Sequence, residues 1–247
     1  MSLCWLDWPA PASVKACYTL RSGGSSSEPY LSFNLGDHVG DNPQVVQRNR
    51  SHLSQLIKRD NIAWLTQVHG TDILHLPTDT HATYEADASI TQQAQTVCCV
   101  MTADCLPVFF CDQQGQQVAI AHAGWRGLLN GVLQKTLAHF TSSDEVLLYL
   151  GPAISQQAFE VGEEVRKAFL NAYPLLPELN DCFLPSPGQN QKWMADIYRI
   201  ARIMMSASGV THIYGGDRCT YTETSAFFSY RRDNLTGRMA NLIWIDH

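Results

Sequence analysis

Thr102-Ala103-Asp104-Cys105-Leu106-Pro107, an apolar run, and then Ala121-His122-Ala123-Gly124-Trp125-Arg126-Gly127 form the stretch around which the rest of the chain is read. Two apolar runs, Val97–Met101 and Gln117–Ala121, read as strands. One leads to a cysteine and the other to a histidine, each among small or turn-forming residues. A third run, Ile62–Leu65, leads to Gln67-Val68-His69-Gly70. Cysteine thiolate and imidazole are the usual zinc donors, and three protein ligands leave a fourth position open for chemistry. The expectation is that His69, Cys105 and His122 converge at strand ends and hold one metal ion.

Composition narrows the rest. With 247 residues and 27.5 kDa the chain suits one large domain or two small ones. No linker divides it, so residues 1–247 are read as a single domain. Hydrophobic residues make up 45% and charged residues 16%, which suits a soluble globular protein with a substantial core. A net charge of −6 argues against coating nucleic acid, which needs a cationic surface. It leaves room for a small anion held by a few local arginines. The N-terminus lacks the basic-then-apolar pattern of a secretory signal, and no apolar run approaches a membrane span. Three of the eight cysteines, Cys98, Cys99 and Cys111, lie inside apolar runs, where a free thiol acts as a small hydrophobe. The expected compartment is reducing cytoplasm.

Along the chain, Lys15–Leu20 reads as a strand. Asn42-Pro43 announces a helix to about Lys58, with Asn42 as cap and Val46, Leu53, Leu56 and Ile57 as its apolar stripe. Asn49 falls on that stripe. Strands are expected over Ile62–Val68, Thr71–Leu76, Asp87–Thr91, Val108–Asp112, Glu145–Leu150, Thr211–Tyr214, Phe227–Tyr230 and Met239–Ile245. Helices are expected over Trp125–Phe140, Glu160–Ala172 and Met194–Ala207, the last closed by Gly209. Pro174–Asn190 reads as loop. The helix from Trp125 is expected to aim its amide end at the metal.

The spacing of the three ligands matches no short zinc motif, and there is no Cys-x-x-Cys or His-Glu-x-x-His. A resemblance adds to the reading. Gln67-Val68-His69-Gly70, Ala103-Asp104-Cys105-Leu106-Pro107-Val108 and His122-Ala123-Gly124-Trp125-Arg126-Gly127 resemble the YfiH-type family, also called the polyphenol oxidase or laccase-domain family. So do Asn34-Leu35-Gly36, Gly40-Asp41-Asn42-Pro43, Asn49-Arg50, Gly151-Pro152-Ala153-Ile154, Cys219-Thr220, Phe228-Ser229-Tyr230-Arg231-Arg232 and Thr236-Gly237-Arg238-Met239. The resemblance implies an α+β fold of mixed sheets layered between helices, with one zinc on His69, Cys105 and His122. It also implies phosphorolysis of adenosine, inosine, guanosine and methylthioadenosine, and deamination of adenosine.

Deamination suits such a site, because zinc lowers the pKa of water enough to attack C6 of adenine. Asp104, beside Cys105, is the candidate proton carrier, with a turn-capping aspartate as the alternative. Phosphorolysis needs phosphate near the ribose. Arg48, Arg50, Arg126, Arg231 and Arg232 are the candidate donors, since guanidinium forks match phosphate oxygens. Arg48, beside Asn49, is preferred. Asn49, Arg126, Phe228 and Arg231 are the expected substrate contacts, and Phe33, Phe228 or Tyr230 the candidates for stacking on a purine.

Three other readings stay open. The family's older name suggests a copper oxidase, with Met101 near the ligands, although the nine histidines include no His-x-His pair. A metal-free hydrolase would use Cys105 as nucleophile and His122 as base on a cell-wall peptide precursor. A purely structural zinc site is disfavoured by the missing fourth ligand. Expected partners are purine nucleosides and phosphate, without nucleic acid or membrane, in a monomer or homodimer.

Overall fold

The six residues Val97–Thr102 are buried along their whole length, as are Val118–Ala123 and Met239–Ile245. Strands covered on both faces carry unbroken apolar runs instead of alternation. The computed structural model describes residues 2–77 and 84–246 and shows why both faces are covered. A five-stranded sheet runs in the order Leu3–Trp5, Val14–Thr19, Met239–Ile245, Val97–Thr102, Ile62–Ala63. A six-stranded sheet runs His212–Gly215, Val146–Leu150, Leu106–Asp112, Val118–Ala123, Ala88–Thr91, Ile73–Leu76. Both mix parallel and antiparallel pairs.

Successive side chains on a strand point to opposite faces. Cys98 and Val100 therefore pack with Phe109, Cys111, Val118 and Ile120 between the two sheets. Val97 and Cys99 join Leu53 and Ile57 of the helix Pro43–Ile57 on the outer side. The far face of the six-stranded sheet, including Leu106, Val108, Phe110 and Ala121, packs on residues such as Leu133, Phe169, Ala201 and Met204 of later helices. The result is the expected α+β arrangement, two mixed sheets layered between helices. A small sheet of Glu160–Gly162, Lys192–Ala195 and Phe183–Pro185 and a two-stranded pair, Leu65–Thr66 with Tyr84–Glu85, complete it. No helix among the described residues is long and apolar enough to cross a membrane.

Several expected elements are corrected. The first helix begins as read, with Asn42 accepting from the Gln44 and Val45 amides, but its buried stripe is Val46, Asn49, Leu53 and Ile57, while Leu56 is exposed. Ile62–Val68 breaks at Trp64 into two short strands that serve different sheets. Trp125–Phe140 is two helices, Trp125–Leu129 and Val132–Leu137, because Gly131 takes a left-handed φ of 87°. Met194–Ala207 begins as the strand Lys192–Ala195; Asp196 then caps the helix Ile197–Ala207 by accepting from the Arg199 amide. Glu160–Ala172 likewise divides into Glu160–Gly162 and the helix Glu163–Ala172. Phe227–Tyr230 is not a strand. Phe227 and Phe228 are both fully buried with no alternation, and Ser229 caps a short helix over Tyr230–Asp233.

Candidate metal centre

The site is built where the two large sheets meet. Val97–Thr102 belongs to one sheet and Leu106–Asp112 to the other, so Cys105 lies in the crossover between them. His122 stands near the end of Val118–Ala123, and His69 lies on the loop after Leu65–Thr66. One ligand atom from each of His69, Cys105 and His122 lies within 4.8 Å of the others. Cys105 Sγ is 3.8 Å from His69 Nε2, and the two imidazoles meet edge to face at 4.8 Å between centroids.

Asp87, fully buried, aims two of these ligands, and sequence reasoning assigned it no role. Its carboxylate accepts from the amides of Val68 (3.1 Å), His69 (3.0 Å) and Gly70 (2.6 Å), closing the His69 loop around itself. It also meets His122 Nδ1 at 2.8 Å. That contact assigns the Nδ1 proton and leaves Nε2 to face a metal, the usual device for orienting a ligating histidine. His69 sits at φ 61°, uncommon outside glycine, and the three amide bonds to Asp87 hold it there. The sequence shows only a carboxylate at the head of a short strand of mixed small, polar and apolar residues.

Burial raises Asp87's pKa, but His122 and the Gly70 and Val68 amides outweigh it, so the carboxyl is held below its ordinary value. Burial raises the Cys105 thiol too. The His122 charge and hydrogen bonds from both histidines overcome this and hold it well below the usual thiol range. The donor set, two imidazoles and a thiolate, is one that zinc and copper both accept. Gly124 completes the cradle. A Cβ there would lie 2.9 Å from His69 Cδ2 and 3.0 Å from Cys105 Sγ. The residues present fit a metal ion.

The helix expected from Trp125 is five residues long, Trp125–Leu129, and begins directly after Gly124.

Asp104 sits at φ 91° and its carboxylate is committed to structure. It accepts from Thr220 Oγ1 (2.6 Å), Ser229 Oγ (3.1 Å) and the Arg231 amide (2.7 Å), while its carbonyl accepts from the Ile154 amide. Asp104 thereby ties the Cys105 turn to three distant segments, with no bond from its carboxylate to its own turn among the described residues.

A cleft of about 220 Å³ opens beside the ligands. Trp125, Ile154, Phe159, Ile197 and Tyr230 give it apolar walls, and Arg126 and Arg231 lie at its edge. Arg126 stacks on Trp125 at 4.3 Å, and Arg231 Nη1 donates to the carbonyls of Ala158 and Glu160. Six expected residues, Phe33, Arg48, Asn49, Arg50, Phe228 and Arg232, are not among those lining the cleft. Arg48 is exposed on a groove with Gln44, Ser51 and His52. Asn49 is buried, with its amide held by Ser25, Ser26, Ser32 and Asn34. Phe228 packs in the core with Tyr18, Ala103, Phe227 and Met239. Phe33 is likewise core. Larger grooves exist, one of about 530 Å³ against His75 and His139, but among the described residues only His69, Cys105 and His122 form a metal-competent trio.

Fold and site together define a layered α+β protein with a His-Cys-His cluster that could hold a metal ion. The family described as multi-copper polyphenol oxidoreductase laccase matches residues 15–246. A purine nucleoside phosphorylase of Pseudomonas aeruginosa is 49% identical, with 98% of each chain covered. Purine nucleoside phosphorylase YfiH of Escherichia coli K12 is 50% identical, with 97% of each covered. A crystal structure of a Neisseria meningitidis protein superposes with a TM-score of 0.94 at 47% identity, covering 100% of both chains. The chain belongs to this laccase-like, YfiH-type family.

Proposed function

We propose that this protein is a zinc-dependent purine nucleoside enzyme. It cleaves adenosine, inosine, guanosine or methylthioadenosine with phosphate and deaminates adenosine to inosine. The observation that carries the reading is the convergence of His69, Cys105 and His122, two of which, His69 and Cys105, line an aromatic-walled cleft that also holds two arginines. The names of the relatives support the purine substrate.

His69, Cys105 and His122 would hold the metal, and when bound it supplies Lewis-acid chemistry. The chain's own residues do the rest. Asp87 fixes the tautomer of His122 and the His69 loop. Trp125, Phe159 and Tyr230 offer flat surfaces for a purine, and Arg126 and Arg231 offer positive charge at the rim. In phosphorolysis the ribose C1′–N9 bond breaks, a C1′–O bond to phosphate forms, and the base leaves with a proton. The apolar walls exclude the water that competes with phosphate for C1′.

The test is incubation of metal-replete protein with adenosine and phosphate. Ribose-1-phosphate with adenine, or inosine, is the expected product; neither appearing contradicts the reading. The family's description favours a second reading, copper-dependent oxidation of phenols. Against it, a multi-copper enzyme needs several ligand clusters, and one trio is present among the described residues. Oxygen consumption with a diphenol by copper-loaded protein at rates above its nucleoside turnover would favour that reading. Activity that survives chelation would instead point to Cys105 as the nucleophile of a hydrolase.

A further inference from the structure

Several arginines away from the cleft lining have their charge met by a carboxylate. Arg50 pairs with Asp37 at 3.2 Å and lies over Trp64 at 4.1 Å. Arg218 is forked onto Glu223, and Arg232 pairs with Asp233 at 2.8 Å. Arg238 differs. It is half-buried and has no carboxylate within 4.0 Å among the described residues. Its Nη1 donates to the carbonyls of Thr236 (3.0 Å) and Gly237 (3.1 Å), while Nε and Nη2 donate to no acceptor among the described residues. A guanidinium carries its donors in a rigid fork, so one edge of this fork is left for something other than protein.

The fork lies close to the cleft without being among its lining residues. Its carbon lies 5.9 Å from the centroid of Tyr230, a wall of the cleft shared with His69 and Cys105. Burial lowers its pKa, and the charges of Cys105, Asp104 and Tyr230 oppose that.

A distant part of the chain is shaped around its stem. Asn34 Oδ1 accepts from the Arg238 amide and from the Gly36 amide, both at 2.9 Å, and a Cβ on Gly36 would lie 2.8 Å from Arg238 Cγ. Holding a partly desolvated cation without a carboxylate is unfavourable by itself. The arrangement makes sense when an anion arrives. Arg126 and Arg231, both exposed at the rim, are less well placed to hold one firmly.

From this geometry we infer that Arg238 binds a phosphate oxyanion beside Cys105, as the donor that receives the second substrate of phosphorolysis. Its role in turnover rests on the function proposed above; its role in binding does not.

Inorganic phosphate titrated into metal-loaded wild-type protein should bind. In Arg238→Gln the phosphate dissociation constant and the KM for phosphate should both rise at least tenfold. The KM for nucleoside should stay within twofold and the metal content unchanged. Arg238→Lys should recover part of the loss. Gly36→Ala, which pushes on the Arg238 stem and removes no charge, should reproduce the phosphate-selective defect. It replaces Arg238→Gln as the test if that variant does not fold.

Unchanged phosphate binding in the folded variant, or no phosphate binding by wild type, overturns the inference. Inosine 5′-monophosphate titrated in parallel identifies the carrier. A defect for inorganic phosphate assigns the site to the free ion, and a defect for the nucleotide alone refutes that assignment. Phosphate binding that depends on Arg238 in a protein without phosphorolysis upholds the anion site and removes the proposed reaction.

Discussion

Asp87 and Asp104 are two carboxylates that shape the cluster of His69, Cys105 and His122 from outside it. Each holds a non-glycine residue in the left-handed region, His69 at 61° and Asp104 itself at 91°, and each does so with several donors. Such conformations persist only where the surroundings over-determine them. Asp87→Asn turns one of the two accepting oxygens into a donor and loses the charge that orients His122. Its metal affinity should fall by about 10–100-fold, read by competition with a chromophoric chelator; unchanged affinity would show that His122 needs no orienting partner. Asp104→Asn should lower stability by about 1–3 kcal/mol through its unmatched buried donors, measured by urea unfolding. A fall in kcat at unchanged stability would restore the proton-carrier role. Gly124→Ala, whose Cβ would press on His69 and Cys105, should lose metal at least tenfold while the fold is kept. Full occupancy in that variant contradicts the cradle.

At the scale of elements, the buried strands were legible because apolar runs between turn signals have few other uses. Val97–Met101 and Met239–Ile245 lie within or match observed strands. What stayed hidden depended on single residues acting through backbone geometry. The periodicity of Leu129, Val132, Leu133, Thr136 and Leu137 is continuous, yet Gly131 breaks the helix. Gly131→Ala should therefore cost about 1–2 kcal/mol by the left-handed penalty, with metal content untouched. Equal or greater stability would mean that the break is not imposed there. Phe227-Phe228 read as a strand because the sequence does not show that both rings enter the core from irregular backbone. Leu3–Trp5 passed unnoticed because three residues carry too little pattern.

For the molecule as a whole, the layered architecture puts Cys105 on the crossover between two sheets and His122 near the end of an inner strand of one. The three ligands come from segments so far apart in the chain that spacing could not join them. The resemblance of short motifs did, and the fold supplies the physical reason by bringing the strand ends together. Asp87 and Arg238 were missed for the same reason: each matters through contacts made only after the sheets have packed. Because the ligands bridge both sheets, a bound ion should also tie them, stabilising the native state by about 4 kcal/mol at a thousandfold excess over its dissociation constant.

The most direct measurement is elemental analysis of protein purified without added metal, on wild type and on folded Cys105→Ala, with nucleoside turnover assayed on the same samples. About one zinc per chain with turnover in wild type, and neither in the variant, is the result the account predicts. A wild-type protein that turns over nucleosides without metal, or a variant that keeps its zinc, would contradict it.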